Sequence, residues 1–409
     1  MLTNSRGPPL SSPVMSKKTS ALYRGLSRAV LVALLGLGLS YLVAVGLVMV
    51  PIVQTYITYA HHIDFFGYNK FDHPEDYGLA PGKTMNMKLQ SSDNTTLGAW
   101  FILADSIHHK TPLLSPSPNH HHVNIPSALR TRPTILFLHG NTGTRALPVR
   151  VTVYTGLTGR LDANIFTIDY RGFGDSAGHP TVDGVARDAP AAWDYLMLQG
   201  AKPQDVLIVG HSLGTAIASL LAAELARDNI EPRGLVLMSA FSSLRTLMDQ
   251  YYLFGFLPLL KPLSVIPFAP RVLNWSLKHR FDTLTLIPNV RTSVLLAHGE
   301  NDWDIPHSHT STLFEAFLDP YLPSASSLTG NPLSSHNWDQ YGVQQDLRAE
   351  RRSTIVRTTS IAGFGTWEEF IDQKHGGRRV AMLKTNAGGH DIGRLEGVQD
   401  AIGEMFDFY

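Results

Sequence analysis

No charged residue interrupts the run Ala29–Val50 (AVLVALLGLGLSYLVAVGLVMV). As a helix rising 1.5 Å per residue it spans roughly 33 Å, enough to cross a hydrocarbon layer of about 30 Å. A soluble protein could hold such a helix only by burying every side, which a segment next to the N-terminus rarely achieves. A cleaved leader is the sharper rival. Its apolar part runs about 7–15 residues and ends at a small-residue cleavage site, whereas Met49, Val50 and Pro51 follow here. The run therefore reads as a permanent signal-anchor. Arg6, Lys17, Lys18, Arg24 and Arg28 precede it, and the next Lys or Arg is Lys70. The positive-inside rule then predicts a cytoplasmic N-terminus, with residues from about 51 onward lumenal or extracellular. Tyr56, Tyr59, Phe65 and Phe66 suit an interfacial aromatic belt. The sequons at Asn94 and Asn274 are compatible with that side.

The expected organisation is a basic tail over 1–28, an anchor over 29–50, a juxtamembrane connector over 51–84 and one large domain over 85–409. Hydrophobic residues make up 44% of the chain and charged residues 17%, which is too apolar for disorder. Lys+Arg and Asp+Glu are equal at 34 each, so no global field points to nucleic acid. The chain has no cysteine, which excludes disulfides, Cys-ligated metal and a cysteine nucleophile. Covalent chemistry would rest on Ser, Thr, Lys, Asp or Glu.

Beyond the anchor, strand and helix patterns alternate. Met85–Leu89 and Leu97–Leu103 read as a hairpin. Six short apolar runs suit buried parallel strands: Thr134–Leu138, Ile165–Ile168, Val206–Val209, Leu235–Met238, Val294–Ala297 and Val380–Leu383. Helical patterns lie at Pro180–Gln199, Leu213–Ala226 and Ser311–Leu318. The expected fold is α/β: a mostly parallel, eight-stranded sheet with helices on both faces. Residues 107–131, rich in His, Pro and Ser, and 319–352, rich in Ser, Asn and Pro, read as surface insertions in loops.

The strongest chemical signal is Gly210-His211-Ser212-Leu213-Gly214, which follows a strand and opens a helix. A G-x-S-x-G turn there strains the serine and lifts its hydroxyl above the sheet, with Gly210 and Gly214 relieving clashes on either side. The helix N-terminus and the Leu213 N–H would favour an oxyanion formed when Ser212 attacks a carbonyl. A serine needs a base, and on this scaffold the chain order is serine, acid, histidine. Glu300, Asp302 and Asp304 compete to be the acid after Val294–Ala297. Asp302 is preferred because, three residues past Gly299, it can turn toward the neighbouring strand's C-terminal end; Asp304 is the main rival, with helix capping as its plainer role. Of the 18 histidines, five follow Asp302: His307, His309, His336, His375 and His390. Only His390 sits in a Gly-rich loop after the last strand, where a mobile, side-chain-poor segment could bring it to Ser212. The second oxyanion donor is expected in His139–Arg145, at the Asn141 N–H, with His139 structural.

These segments carry a resemblance. From about residue 85 to the C-terminus the chain resembles the α/β hydrolases, through HGNTGTR at 139–145, DYRGFGDSAGHP at 169–180, GHSLGTA at 210–216, HGENDWDIP at 298–306 and GGHDIG at 388–393. It is most similar to the membrane-anchored monoacylglycerol and lysophosphatidylserine lipase subgroup. The resemblance implies Ser212, Asp302 and His390 as the triad and a catalytic domain in the endoplasmic reticulum lumen. It also implies a variable cap, about 240–290, which here is unusually apolar (Tyr251 to Phe268). Either it packs as a short helical cap or it dips into the bilayer and passes acyl chains to Ser212; beside an anchor, an exposed apolar patch suggests a lipid substrate.

Other features have plainer readings. Gly172-Phe173-Gly174 does not complete a dinucleotide fingerprint, and Asp169 and Asp175 there fix turns. His108, His109 and His120–His122 lack metal-ligand spacing, so no metal or cofactor is expected. The expectation is a membrane-anchored serine hydrolase of lipid esters, lysophospholipid or monoacylglycerol. The alternatives are a thioesterase removing acyl groups from protein cysteines and a non-catalytic interaction module on the same fold; a peptidase shares the fold without particular support.

Overall fold

The computed structural model describes residues 17–63, 69–110, 124–250, 252–253, 257–258, 263, 266–324 and 335–409, with backbone alone at 17–25, 252–253, 257–258, 270 and 335–340. Phe65, Phe66, His120–His122, most of the apolar run 251–265 and the Ser/Asn-rich residues 325–334 lie outside the described residues, as does the His336 side chain. The chain divides into two units, Met1–Val53 and Gln54–Tyr409.

In the first unit one helix, α1 (Lys17–Val48), contains the apolar stretch Leu26–Val48. Among the described residues it is the one helix long and apolar enough to cross a membrane. Leu31, Val32, Leu34, Leu35, Leu37 and Leu39 are all more than half exposed, an arrangement that suits a lipid solvent and not water. The helix stops short of Pro51, which opens α2 (Pro51–Tyr59) at the first helical position, where its missing N–H costs nothing.

The second unit is built on a sheet of strands β1 (Thr84–Gln90), β2 (Thr96–Ile102), β3 (Thr134–Leu138), β4 (Asn164–Ile168), β5 (Val206–His211) and β6 (Gly234–Met238), continued after the cap by β9 (Val294–Gly299), β10 (Arg357–Ile361), β11 (Gly365–Asp372) and β12 (Arg378–Thr385). A separate two-stranded ribbon in the cap, β7 (Tyr252–Leu253) and β8 (Leu257–Pro258), completes the strands. The main sheet has the order β1-β2-β4-β3-β5-β6-β9-β12-β11-β10. The six strands from β4 to β12 are parallel, and the four outer ones are antiparallel. All eight expected strands are present, and the sheet is mixed, with ten strands. The two extra ones, β10 and β11, carry little apolar alternation: every residue of β10 is exposed. Their pairing comes instead from the turn at Gly363 (φ +70°) and from contacts such as Trp367 opposite Leu383.

Period-two alternation divides the core. Leu136, Leu138, Ile208, Leu235 and Leu237 face one side, covered by α5 (Val182–Leu198), α6 (Leu213–Arg227) and α9 (Ser308–Leu318). Ile135, Phe137, Leu207, Val209 and Val236 face the other, covered by α4 (Pro148–Arg160) and α11 (Glu396–Met405). Each such side chain contributes about 1.5–3 kcal/mol on burial. Three shorter or outlying helices complete the numbering: α3 (Ile125–Thr131), α7 (Leu244–Gln250) and α8 (Ala269–Ser276). The expected loop insertion over 319–352 holds α10 (Ser335–Ile355), tied down by Arg348 to Asp319 at 2.6 Å and by Arg352 to Glu315 at 2.7 Å and Glu368 at 2.8 Å. Because the central strands are parallel, the loops after β3, β5, β9 and β12 leave the sheet at one common edge, and all three expected triad residues lie there.

Candidate active site

Ser212 is the single residue between β5 and α6. Its φ of +53° with ψ of −119° is a conformation that an L-residue with a side chain rarely adopts. The strain is held by the surroundings: the Ser212 N–H donates to the Met238 carbonyl at 3.0 Å, and the Ser212 carbonyl accepts the Thr215 N–H at 2.9 Å and its hydroxyl at 2.6 Å. A Cβ on Gly214 would overlap the Leu138 carbonyl oxygen, and one on Gly210 would come within 2.5 Å of the Gly214 carbonyl oxygen. Gly214 therefore requires glycine because the turn packs directly on β3, and Gly210 because the first turn of α6 folds back onto it.

Asp302 leaves the sheet after β9 and its side chain is fully buried. Its Oδ1 accepts the backbone N–H groups of Asp304 at 2.9 Å and Ile305 at 3.0 Å. Its Oδ2 lies 2.8 Å from His390 Nδ1 and 3.1 Å from His298 Nε2. Burial opposes its charge, but hydrogen bonds from His298 and His390 outweigh that and hold the carboxyl well below the usual range. Asp302 is thus ionised, so Nδ1 of His390 carries the proton and Nε2 is left free to accept one. Burial alone would depress His390; the hydrogen bond and charge of Asp302, helped by Asp304 and Asp391, raise its pKa instead. The two rival acids, Glu300 and Asp304, are exposed. Ligand-type atoms of Asp302, Asp304 and His390 fall within 4.8 Å of one another, but both Asp302 oxygens are already engaged by N–H groups.

The loop bearing His390 is fixed by hydrogen bonds. The Gly389 N–H donates to Asn301 Oδ1 at 2.8 Å, and the His390 carbonyl accepts the Ser239 hydroxyl at 2.7 Å. His211 Nε2 lies 2.9 Å from the same carbonyl. Since a carbonyl only accepts, that nitrogen carries the hydrogen. His211 stays neutral because burial, and then the nearby His390, push its pKa down to about 3. Ser239, Asn301 and His211 escape sequence reasoning, since no motif distinguishes an ordinary serine or asparagine that binds a backbone group.

The loop after β3 is shaped by Arg150, a buried arginine on α4. Its Nη2 donates to the carbonyls of Gly140 at 3.0 Å, Asn141 at 2.9 Å and Thr142 at 2.7 Å, while Nη1 donates to Thr144 at 2.7 Å. In a trans peptide the N–H points opposite to the carbonyl. Arg150, by gathering the carbonyls, turns the N–H groups the other way. The Asn141 N–H has no acceptor among the described residues, and the Leu213 N–H, first in α6, has none within the helix. A Cβ on Gly140 would come within 3.0 Å of Ser212 Cβ, so the loop rests on the serine. His139 is buried behind it, its Nδ1 2.7 Å from the Gly140 carbonyl and its Nε2 3.2 Å from Asp169 Oδ1. Asp169 also receives the Arg145 N–H at 2.6 Å and the Arg145 guanidinium, which reaches Asp175 at 2.8 Å and Asn86 at 2.8 Å.

A mixed sheet with parallel centre, a strained serine at a strand-to-helix turn, and an acid and a histidine paired at the same edge define an α/β hydrolase. The chain has the α/β-hydrolase fold, and its residues 133–256 match the family model described as alpha/beta hydrolase fold. It is 34% identical to the lysophosphatidylserine lipase ABHD12 of Xenopus tropicalis over 53% of this chain and 54% of that one. It is also 30% identical to the lysophosphatidylserine lipase ABHD12 of Bos taurus over 70% and 65% of the two chains. The human protein ABHD12B matches at 31% over 48% and 53%. The chain spans about half the length of the curated relatives it matches. Among solved structures, an α/β hydrolase from Vibrio vulnificus superposes with a TM-score of 0.51 at 16% identity, over 87% of this chain and 94% of that one, a likeness of fold.

Proposed function

We propose that this chain is a membrane-anchored serine hydrolase that cleaves the ester of a lysophospholipid or monoacylglycerol, with the N-terminus cytoplasmic and the catalytic domain in the endoplasmic reticulum lumen. The observation that carries the reading is the 2.8 Å pair between His390 Nδ1 and buried Asp302, at the sheet edge where Ser212 is held at φ +53°. Ser212 Oγ attacks the ester carbonyl while His390 Nε2 takes its proton. The oxyanion is received by the Leu213 and Asn141 N–H groups. Collapse releases the alcohol, protonated by His390, and leaves an acyl-serine. Water, deprotonated by His390, then frees the fatty acid.

Lipid as substrate is supported by the lysophosphatidylserine lipase activity for which the relatives are named, by α1, and by the apolar side chains that the cap leaves exposed, Ile266, Phe268, Val272 and Trp275. A lumenal domain is supported by the five basic residues before the apolar run Ala29–Val50 and by the exposure of Asn94 and Asn274 in their sequons. The test is hydrolysis of lysophospholipids, monoacylglycerols and acyl-cysteine peptides by membranes carrying the wild type, with Ser212→Ala as background and a fluorophosphonate reporting the serine. Release of fatty acid from the lipid esters, with residues 51–409 protected from protease in sealed microsomes, is expected. Preference for the thioester with a protease-accessible domain would favour the depalmitoylating alternative; a folded wild type that never labels would leave an interaction module.

The pH dependence has a definite sign. Only neutral His390 can accept the serine proton, and its pKa is raised above the ordinary 6.5. kcat/KM is expected to rise with pH through a single midpoint above 6.5 and then level off, with no limb from His211, which is neutral throughout that window. A profile measured from about pH 5 to 9 that falls across this range, or whose midpoint lies below that value, counts against His390 as the base.

A further inference from the structure

We propose that residues 54–59, the part of α2 within the catalytic unit, set the oxyanion side of the Ser212 site, with Gln54, Thr55 and Tyr59 as positioning residues. This rests on the hydrolase reading and deepens it. The sheet begins only at Thr84, so the fold itself does not call for this helix. Nevertheless Tyr59 is fully buried, and its backbone carbonyl accepts the Thr142 N–H at 2.9 Å. The carbonyl on the other side of that same peptide, from Asn141, is held by Arg150 at 2.9 Å. The Asn141–Thr142 peptide plane is therefore pinned from both sides, one by the protein core and one by α2. The Asn141 N–H, the free one, belongs to the preceding Gly140–Asn141 peptide, which Arg150 holds through the Gly140 carbonyl at 3.0 Å; the two planes meet at the Asn141 Cα, so a shift of the one seated on Tyr59 is passed to the other.

The helix carrying Tyr59 is in turn clamped to the strap that leaves the cap. The Gln54 side-chain amide donates to the Ser276 carbonyl at 2.9 Å and accepts the Lys278 N–H at 2.9 Å. Thr55 Oγ1 lies 2.9 Å from His279 Nε2, and the Tyr59 hydroxyl lies 3.4 Å from His279 Nδ1, so both ring nitrogens are engaged. The Tyr59 ring meets His279, Phe281 and Phe173 edge-on, with centroids 5.1, 6.1 and 6.4 Å away. The segment that directly follows the apolar helix thus spans the cap exit and the oxyanion loop. Residues with this geometry act on the reaction through the Asn141 N–H without touching substrate.

The experiment uses the full chain in membranes, carrying Tyr59→Ala, Tyr59→Phe or the pair Gln54→Ala with Thr55→Val. Turnover is counted per serine titrated with fluorophosphonate, so unfolded protein drops out. Tyr59→Ala and the Gln54/Thr55 pair are expected to lower kcat about tenfold or more, short of the 10²–10³-fold for removing an oxyanion donor outright, with KM within about twofold. Tyr59→Phe, which keeps the ring and the seat of the carbonyl, is expected to recover most of the loss. If Tyr59→Ala does not fold, the Gln54/Thr55 pair decides. Unchanged kcat per titrated serine beside an active wild type overturns the assignment; a wild type that neither labels nor hydrolyses overturns the hydrolase reading and this assignment with it.

Discussion

Asp302→Asn is expected to lower kcat by roughly 10⁴-fold while Asp304→Asn stays within about tenfold of wild type. The difference follows from what each carboxylate meets. Oδ1 of Asp302 accepts two backbone N–H groups, so an asparagine would keep its oxygen there and turn its NH₂ toward His390. Nδ1 of His390 would then have to accept, the proton would move to Nε2, and the imidazole would present a donor where the serine needs an acceptor. The Asp302 charge that raises the His390 pKa would also be gone, so the acid limb of any residual activity should move to lower pH. Asp304 is exposed and adds a weaker field. Steady-state kinetics on membranes normalised to protein settle the matter. Near-normal turnover in Asp302→Asn, or collapse in Asp304→Asn, would exchange the two assignments.

Arg145→Met is expected to destabilise the domain by about 3–5 kcal/mol, because it removes the guanidinium and leaves Asp169 charged and buried. The side chains of both residues are fully buried. Burial alone would raise the Asp169 pKa, but the charge of Arg145, with His139 beside it, lowers it instead, so the carboxylate depends on these partners. Arg145 also stacks on Phe71, 3.9 Å from its guanidinium carbon, and contact with that ring would be partly retained by methionine. A melting temperature lower by about 5–10 °C in detergent is the expected readout. Adding Asp169→Asn should return more than half of the loss, since replacing both partners removes the stranded charge. Melting within about 1 °C of wild type would show the pair to be energetically idle.

Much of the fold was legible because its signals are local. The central strands are short apolar runs, and burial on both faces leaves no other place for them. The elbow was legible because G-x-S-x-G carries its own steric reason. Asp302 and His390 could be placed from chain order and from the loops that hold them. The hairpin β10–β11 was not, since an exposed edge strand reading Arg-Thr-Thr-Ser-Ile has no period to detect. Helix α10 was hidden by its polar composition; its contacts with the rest of the domain are ion pairs from Arg348 and Arg352 and the packing of Ile355 at its end. Arg150 escaped for a different reason. It binds four carbonyls of a loop that begins ten residues earlier, and backbone acceptors leave no trace in side-chain sequence. The Gly-rich loop at His390 read as mobile for the same reason, because its tethers are backbone groups.

The His390 carbonyl receives hydrogen bonds from His211, the residue before Ser212, and from Ser239, which follows the adjacent strand β6. The variable position inside the G-x-S-x-G turn is therefore committed here: a residue that could not donate a hydrogen at that point would leave the base's backbone hanging from one tether. In the proposed mechanism nucleophile and base are thus tied through one hydrogen bond, from the residue beside Ser212 to the His390 backbone. An engineer wishing to re-aim the serine would have to redesign position 211 and the final loop as a single part.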